Sequence, residues 1–148
     1  MKIIRATQDN VEAIAGLFDL YRQFYECESD IALSKRFITE RLQNDEAVIF
    51  IANDDLDKTQ GFVQIYPTFC SIDAGKILIL HDLYVDASVR NQGIGKLLMD
   101  QATEYARNND VVRIDLLTDK TNYPGQALYE KLGYEKALEN FYTYSLKI

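Results

Sequence analysis

The sequence predicts an α/β fold of the α+β kind, with one central sheet of about seven strands and about four helices on its faces. Three observations predict it. Periodic segments follow the order β, α, α, β, β, β, α, β, α, β, β, so strands and helices do not alternate strictly. Residues 78–85 are too apolar for anything but a buried strand, and Ile79, Tyr84 and Val85 are β-branched or aromatic. A polar loop with two glycines follows, and then apolar residues recur at 94, 97, 98, 102 and 105, the stripe of an amphipathic helix. At 148 residues the expected organisation is one domain, 1–148, large enough for a core.

Each element has a local reason. Residues 2–6 form a short strand. Thr7 is a helix N-cap, and Val11, Ile14, Leu17, Phe18, Tyr21 and Phe24/Tyr25 recur at helical spacing over 8–25. Residues 31–43 make a second helix with Leu33, Phe37, Ile38 and Leu42 inward. Residues 47–52 are a strand, and the Asn53-Asp54-Asp55 stretch turns it into the next, 60–69. Pro67 lacks a ladder donor and marks that strand's end or a bulge. Residues 71–75 turn the chain back into 76–85. After the glycine-loop helix, 111–117 read as another buried strand. Residues 124–132 are a short helix with Pro124 in its first turn and Gly133 past its end. Tyr134 restarts a strand, and 141–148 alternate as the last one.

Composition narrows the function. A net charge of −7 argues against a nucleic-acid partner, whose binding needs a basic surface. It suits a cationic substrate, although acidity also serves solubility alone. Cys27 and Cys70 have neither metal nor redox spacing, so two free thiols in a reducing cytoplasm and no metal are expected. No apolar run approaches the ~20 residues of a membrane span, and the first residues lack a signal-peptide core.

The loop Arg90-Asn91-Gln92-Gly93-Ile94-Gly95-Lys96 carries the chemistry. Its glycines let backbone approach a ligand closely. The helix behind it offers unpaired N–H groups and the positive end of its dipole, an anion site most naturally filled by phosphate. It is not a P-loop, because Leu97 follows Lys96 where Ser or Thr is needed. It is not a dinucleotide fingerprint, because Leu98 stands at the third glycine.

Arg90-x-x-Gly93-x-Gly95, between a buried strand and a helix, resembles the pyrophosphate loop of the GNAT superfamily of acetyl-CoA-dependent N-acetyltransferases. A second block is similar to that family's C-terminal motif. It runs Asn122-x-x-x-x-Ala127-Leu128-Tyr129-Glu130-Lys131-Leu132-Gly133-Tyr134. A looser similarity to diamine and histone acetyltransferase-like members lies at 21–25, Gln64-Ile65-Tyr66-Pro67 and 80–85. The resemblance spans nearly the whole chain. It implies a mostly antiparallel sheet and acetyl-CoA as co-substrate. It further implies direct transfer to a primary amine, of a polyamine-like small molecule or a protein, and often a homodimer.

Site residues follow from the resemblance. Backbone from Gln92 through Gly93, Ile94 and Gly95 to Lys96 would hold the pyrophosphate, with Arg90, Asn91 and the Lys96 side chain at its edges. Leu83, Tyr84 and Val85 would pair with the pantetheine arm where the strand parts from 111–117, a splay set by a bulge. A backbone N–H near Leu83 or Tyr84 would polarise the carbonyl. Tyr129 matches the family's general acid, a phenol with a reference pKa of ~10. His81 stands where many members carry a Glu base; an imidazole suits that task, with Asp82 and a water chain as competitors. Asn122 orders the tyrosine, contacts the pantetheine or simply caps the last helix. Tyr25, Glu28 and Tyr66 are candidates for the amine pocket. The other class of function is an acyl-CoA-binding module without turnover; Tyr129 argues against it, and His81 in place of Glu argues for it.

Overall fold

In the computed structural model, which describes residues 1–137 and 142–148, five strands form one sheet in chain order. They are β1 (Lys2–Arg5), β2 (Val48–Asn53), β3 (Thr59–Cys70), β4 (Gly75–Val85) and β5 (Val111–Leu116). The pairs β1–β2, β2–β3 and β3–β4 are antiparallel. β5 is parallel to β4, as a crossover through a helix requires. Four α-helices accompany them, α1 (Val11–Phe24), α2 (Ile31–Gln43), α3 (Ile94–Arg107) and α4 (Tyr123–Lys131). The sheet is therefore mixed and mostly antiparallel, as the resemblance implies. The chain divides into two compact units, Met1–Leu117 and Thr118–Ile148.

In the first unit α1 and α2 cover one face of the sheet. Ile14, Phe18 and Ile38 from the helices meet Ile49, Ile51 and Phe62 from the strands. Each fully buried side chain of this size contributes about 1.5–3 kcal/mol. Strand side chains alternate, so Phe50 points to the opposite face, where its ring meets Tyr105 of α3 at 5.8 Å. α3 buries Ile94, Leu98, Met99, Ala102 and Ala106 there.

Asp19 ties the two helices of the first layer together. It is 5% exposed and accepts from Ser29 Oγ at 2.7 Å, Asp30 N at 2.8 Å, Gln23 Nε2 at 2.9 Å and Ser34 Oγ at 3.1 Å. These bonds, the Ser29 hydroxyl's first, hold its carboxyl below the usual carboxylate range. The end of α1 is thereby pinned to the start of α2. Thr7 forms a capping box with Asn10 as expected, but around a short 3-10 turn, Gln8–Asn10, ahead of α1.

β3 and β5 depart from the sequence expectation. Pro67 does not end β3, which runs on to Cys70 and pairs Pro67 with Leu78 of β4. The ladder to β2 stops at Val48↔Ile65, so Pro67 sits where one side of β3 is already open and a missing N–H costs nothing. β5 is not a buried strand either. Among the described residues it is the sheet's edge, and Val112 is 58% exposed.

The second unit holds α4. Asn122 caps it by accepting from Gly125 N at 3.2 Å, and Pro124 lies in its first turn. Gly133 follows with φ +89°, the left-handed stop that glycine adopts freely. The two last strands expected from the sequence are not present in residues 134–137 or 142–148. Alternation fits a chain for pairing, but pairing needs a neighbour; here Tyr142, Tyr144 and Leu146 are 89%, 90% and 84% exposed. Residues 138–141, including Phe141 of that expected strand, lie outside the described residues.

Candidate active site

The site is built on β4. This strand pairs with β3 from Gly75 to Val85, but with β5 only from Lys76↔Val111 to Leu80↔Leu116. Residues 81–85 run on alone along that side, so their main chain faces a gap where the strands part. A bulge marks the same point. The β3–β4 register passes from Gln64↔Asp82 to Ile65↔Leu80, leaving His81 as an extra residue. The bulge turns both His81 and Asp82 toward the face covered by α1 and α2. The His81 ring lies 5.1 Å from that of Tyr66, while Asp82 bonds Gln64, two residues from Tyr66 and on the same face.

Backbone direction sorts the residues beyond the bulge. A Cβ on Gly61 would sit 2.8 Å from the Tyr84 carbonyl oxygen, so that carbonyl faces β3. By alternation Leu83 and Val85 turn their N–H and C=O groups to the gap. Arg90 Nε takes the Val85 carbonyl at 3.0 Å, and the Arg90 guanidinium lies 5.5 Å over the Tyr84 ring. Arg90 thus fastens the glycine loop to the end of β4. Leu83 presents its main chain to the gap.

The loop itself is a concave row of donors. Asn91 (φ +62°) and Gly93 (φ +83°) are both left-handed, which gathers successive N–H groups on one side. Gly93 is the N-cap of α3 and supplies no side-chain cap. Among the described residues no acceptor meets the N–H groups of Gln92, Gly93, Ile94, Gly95 or Lys96. A Cβ on Gly93 would meet nothing within 4 Å, so the cradle is open. Lys96 reaches along α3 to Asp100 at 2.5 Å. These features fit a diphosphate held by backbone N–H groups and the dipole of a 14-residue helix.

On the α2 side of the bulge lies a broad cleft of about 550 Å³, wide open to solvent and lined by Phe37, Arg41, Glu46, Tyr66 and His81. His81 is exposed in it. Burial, and then the nearby Asp82 charge, push the Tyr66 phenol up to about 12, so it stays protonated at neutral pH. Asp82 is 8% exposed and receives Gln64 Nε2 at 2.5 Å. Burial raises its pKa, opposed by bonds from Gln64 and Tyr21 and by His81. The single Tyr21 hydroxyl hydrogen is shared between Asp82 and the His81 carbonyl, 3.2 Å from Oη, bracing the bulge from α1. Of the candidates on the first helix's end, Tyr25 touches Tyr21 edge-on at 5.2 Å and Glu28 is exposed; neither lines the cleft. A smaller cavity of about 370 Å³ beside Arg5 and Asp45 lies at the β1–β2 end of the sheet, away from the loop and gap.

In the second unit, Tyr129 lies on α4, its ring 6.2 Å from that of Tyr134. Its carbonyl accepts the N–H groups of Leu132 and Tyr134. The Asn122 side chain caps α4 and donates to Thr118 Oγ1 at 3.0 Å. Sequence reasoning missed Arg41 and Glu46; the bulge was expected only through the resemblance, and the structure places it at His81. Arg41 had a signal: it falls one turn after Phe37, beside the inward stripe of α2.

The fold and loop define the class as a GNAT acetyltransferase. The family model described as acetyltransferase (GNAT) family matches residues 14–134, and the chain belongs to that family. It is 40% identical over 136 residues to YhfO, an uncharacterized N-acetyltransferase of Bacillus subtilis strain 168, across 92% of this chain and 91% of that protein. It is 30% identical over 105 residues to a probable acetyltransferase of Haemophilus influenzae, across 71% and 72% of the two chains. The crystal structure of a probable acetyltransferase superposes with a TM-score of 0.92 at 36% identity, covering 100% of this chain and 98% of that one. Among the described residues no group of His, Cys, Asp and Glu could hold a metal, and no helix is long and apolar enough to cross a membrane.

Proposed function

We propose that this chain moves the acetyl group of acetyl-CoA directly to a primary amine of a small molecule or a protein. The observation that carries the reading is the end of β4. Beyond its ladder with β5, that edge leads from the His81 bulge to a helix start whose N–H groups meet no acceptor among the described residues. That path suits a long thioester with a diphosphate at one end. Gln92 to Lys96 would hold the diphosphate, and Leu83 would pair with the arm and offer its N–H to the thioester oxygen. The amine nitrogen bonds to the carbonyl carbon, the C–S bond breaks, and the thiolate leaves. His81, exposed in the cleft, takes the proton of the amine; Asp82 is closed off by Gln64. Tyr129 returns a proton to the thiolate. Both units belong to one acetyltransferase domain in this reading, and the family match crosses their boundary.

Gly95→Asp places a negative charge in the first turn of α3. Acetyl-CoA affinity, measured by calorimetry, should fall by more than about tenfold; unchanged affinity would remove the loop assignment. Thiol release is then screened over an amine panel. Tight acetyl-CoA binding with no amine acetylated would make the chain an acyl-CoA-binding module instead.

A further inference from the structure

The cleft beside the bulge has a charge pattern of its own. Two opposite charges, Arg41 and Glu46, stand among the rings of Phe37, Tyr66 and His81. The Arg41 guanidinium lies 4.7 Å over the Phe37 ring. Its Nε donates to Glu46 Oε2 at 2.7 Å, and one terminal nitrogen is 3.6 Å from Glu40. Stacking and the Glu46 bond fix the guanidinium, whose side chain is only 20% exposed, while its terminal nitrogens keep donors for a ligand. A guanidinium held this way pairs bidentately with a carboxylate.

The opposite case is weak. A polyamine needs carboxylates spaced along its length. Among the described residues Glu46 is the one carboxylate lining the cleft, and Arg41 already holds it. Asp82 lies behind the wall, bonded to Gln64.

We infer that the acceptor is a small dipolar amine, carrying a carboxylate that Arg41 holds while its amino group points to His81 and the gap beside β4. This rests on the acetyltransferase reading for the fate of the amino group, but the carboxylate site stands on Arg41 alone.

The test uses the full chain and matched sets of amines. Each set holds an amino acid with a side-chain amine, its carboxamide and the diamine that lacks the carboxylate, in graded lengths starting from lysine, lysinamide and 1,5-diaminopentane. A dipeptide ending in the same residue separates a free acid from a peptide carboxylate. In wild type the carboxylate member of the best set should have the lowest KM. Arg41→Gln should raise that KM about ten- to a hundredfold, with little change for the carboxamide. Arg41→Lys should fall between, keeping charge but losing the fork. Acetyl-CoA affinity, unchanged in both variants, reports that they fold. If carboxamides or diamines are acetylated as well as or better than the acids, the inference fails and the acetyltransferase reading stands. If nothing is acetylated, calorimetry with the same acids on the CoA-bound protein decides. Arg41-dependent binding keeps the carboxylate site and sinks the transferase, and no binding sinks the site.

Discussion

Asp82 is an acid kept almost out of water, and its cost depends on pH. Burial raises its pKa against the opposing bonds from Gln64 and Tyr21 and the His81 charge. The folded protein therefore holds this proton more tightly than the unfolded chain does. The group's contribution to stability is full below the unfolded value of 3.8 and is lost as pH rises through the folded value. Asp82→Asn keeps the shape and removes the charge. Thermal melts should show the variant more stable than wild type at pH 7, with the gap closing toward pH 4; a gap independent of pH would show that this carboxyl does not titrate there. Gln64 Oε1 has no partner among the described residues, and a protonated Asp82 would supply one once the amide is turned over. At this scale the sequence was half legible. His81 stood out as the only histidine, whereas the buried state of Asp82 follows from a bulge that no residue type announces.

The elements were read better than their ends. The strand, loop and helix from 75 to 107 follow from hydrophobic period and two glycines, because both signals are local. The parting of β4 from β5 is a property of two strands distant in sequence, and only a resemblance could suggest it. Gly61 shows how closely that region is packed. A Cβ there would press on the Tyr84 carbonyl at 2.8 Å and on Val85 Cα at 3.3 Å, both backbone atoms that cannot swing aside. Gly61→Ala should lower stability by about 1–3 kcal/mol in denaturant titration. It should also weaken acetyl-CoA binding, because the displaced stretch of β4 carries Leu83 and anchors Arg90. Stability lost with affinity intact would show that the end of β4 does not touch the ligand.

Across the whole molecule, the residues proposed for the reaction fall in both units. The cradle, gap and cleft belong to Met1–Leu117, and Tyr129 to Thr118–Ile148. Tyr129→Phe tests whether the second unit takes part in the chemistry. It should lower kcat about a hundredfold or more while leaving acetyl-CoA affinity within a factor of a few; full activity would place the acid elsewhere. The sequence marked Tyr129 through its spacing to Asn122 and Gly133, and misjudged the segments after it, where alternation without a neighbour makes no strand. The overhang of β3 bears on how copies of the chain meet. Past Ile65, β3 has no partner on its β2 side among the described residues, and such a bare margin invites a strand from another molecule. Pro67 removes an amide hydrogen from that margin, so an incoming strand would find the row of donors broken. The overhang is thereby a poor template for aggregation, although Phe69 near its tip is 80% exposed.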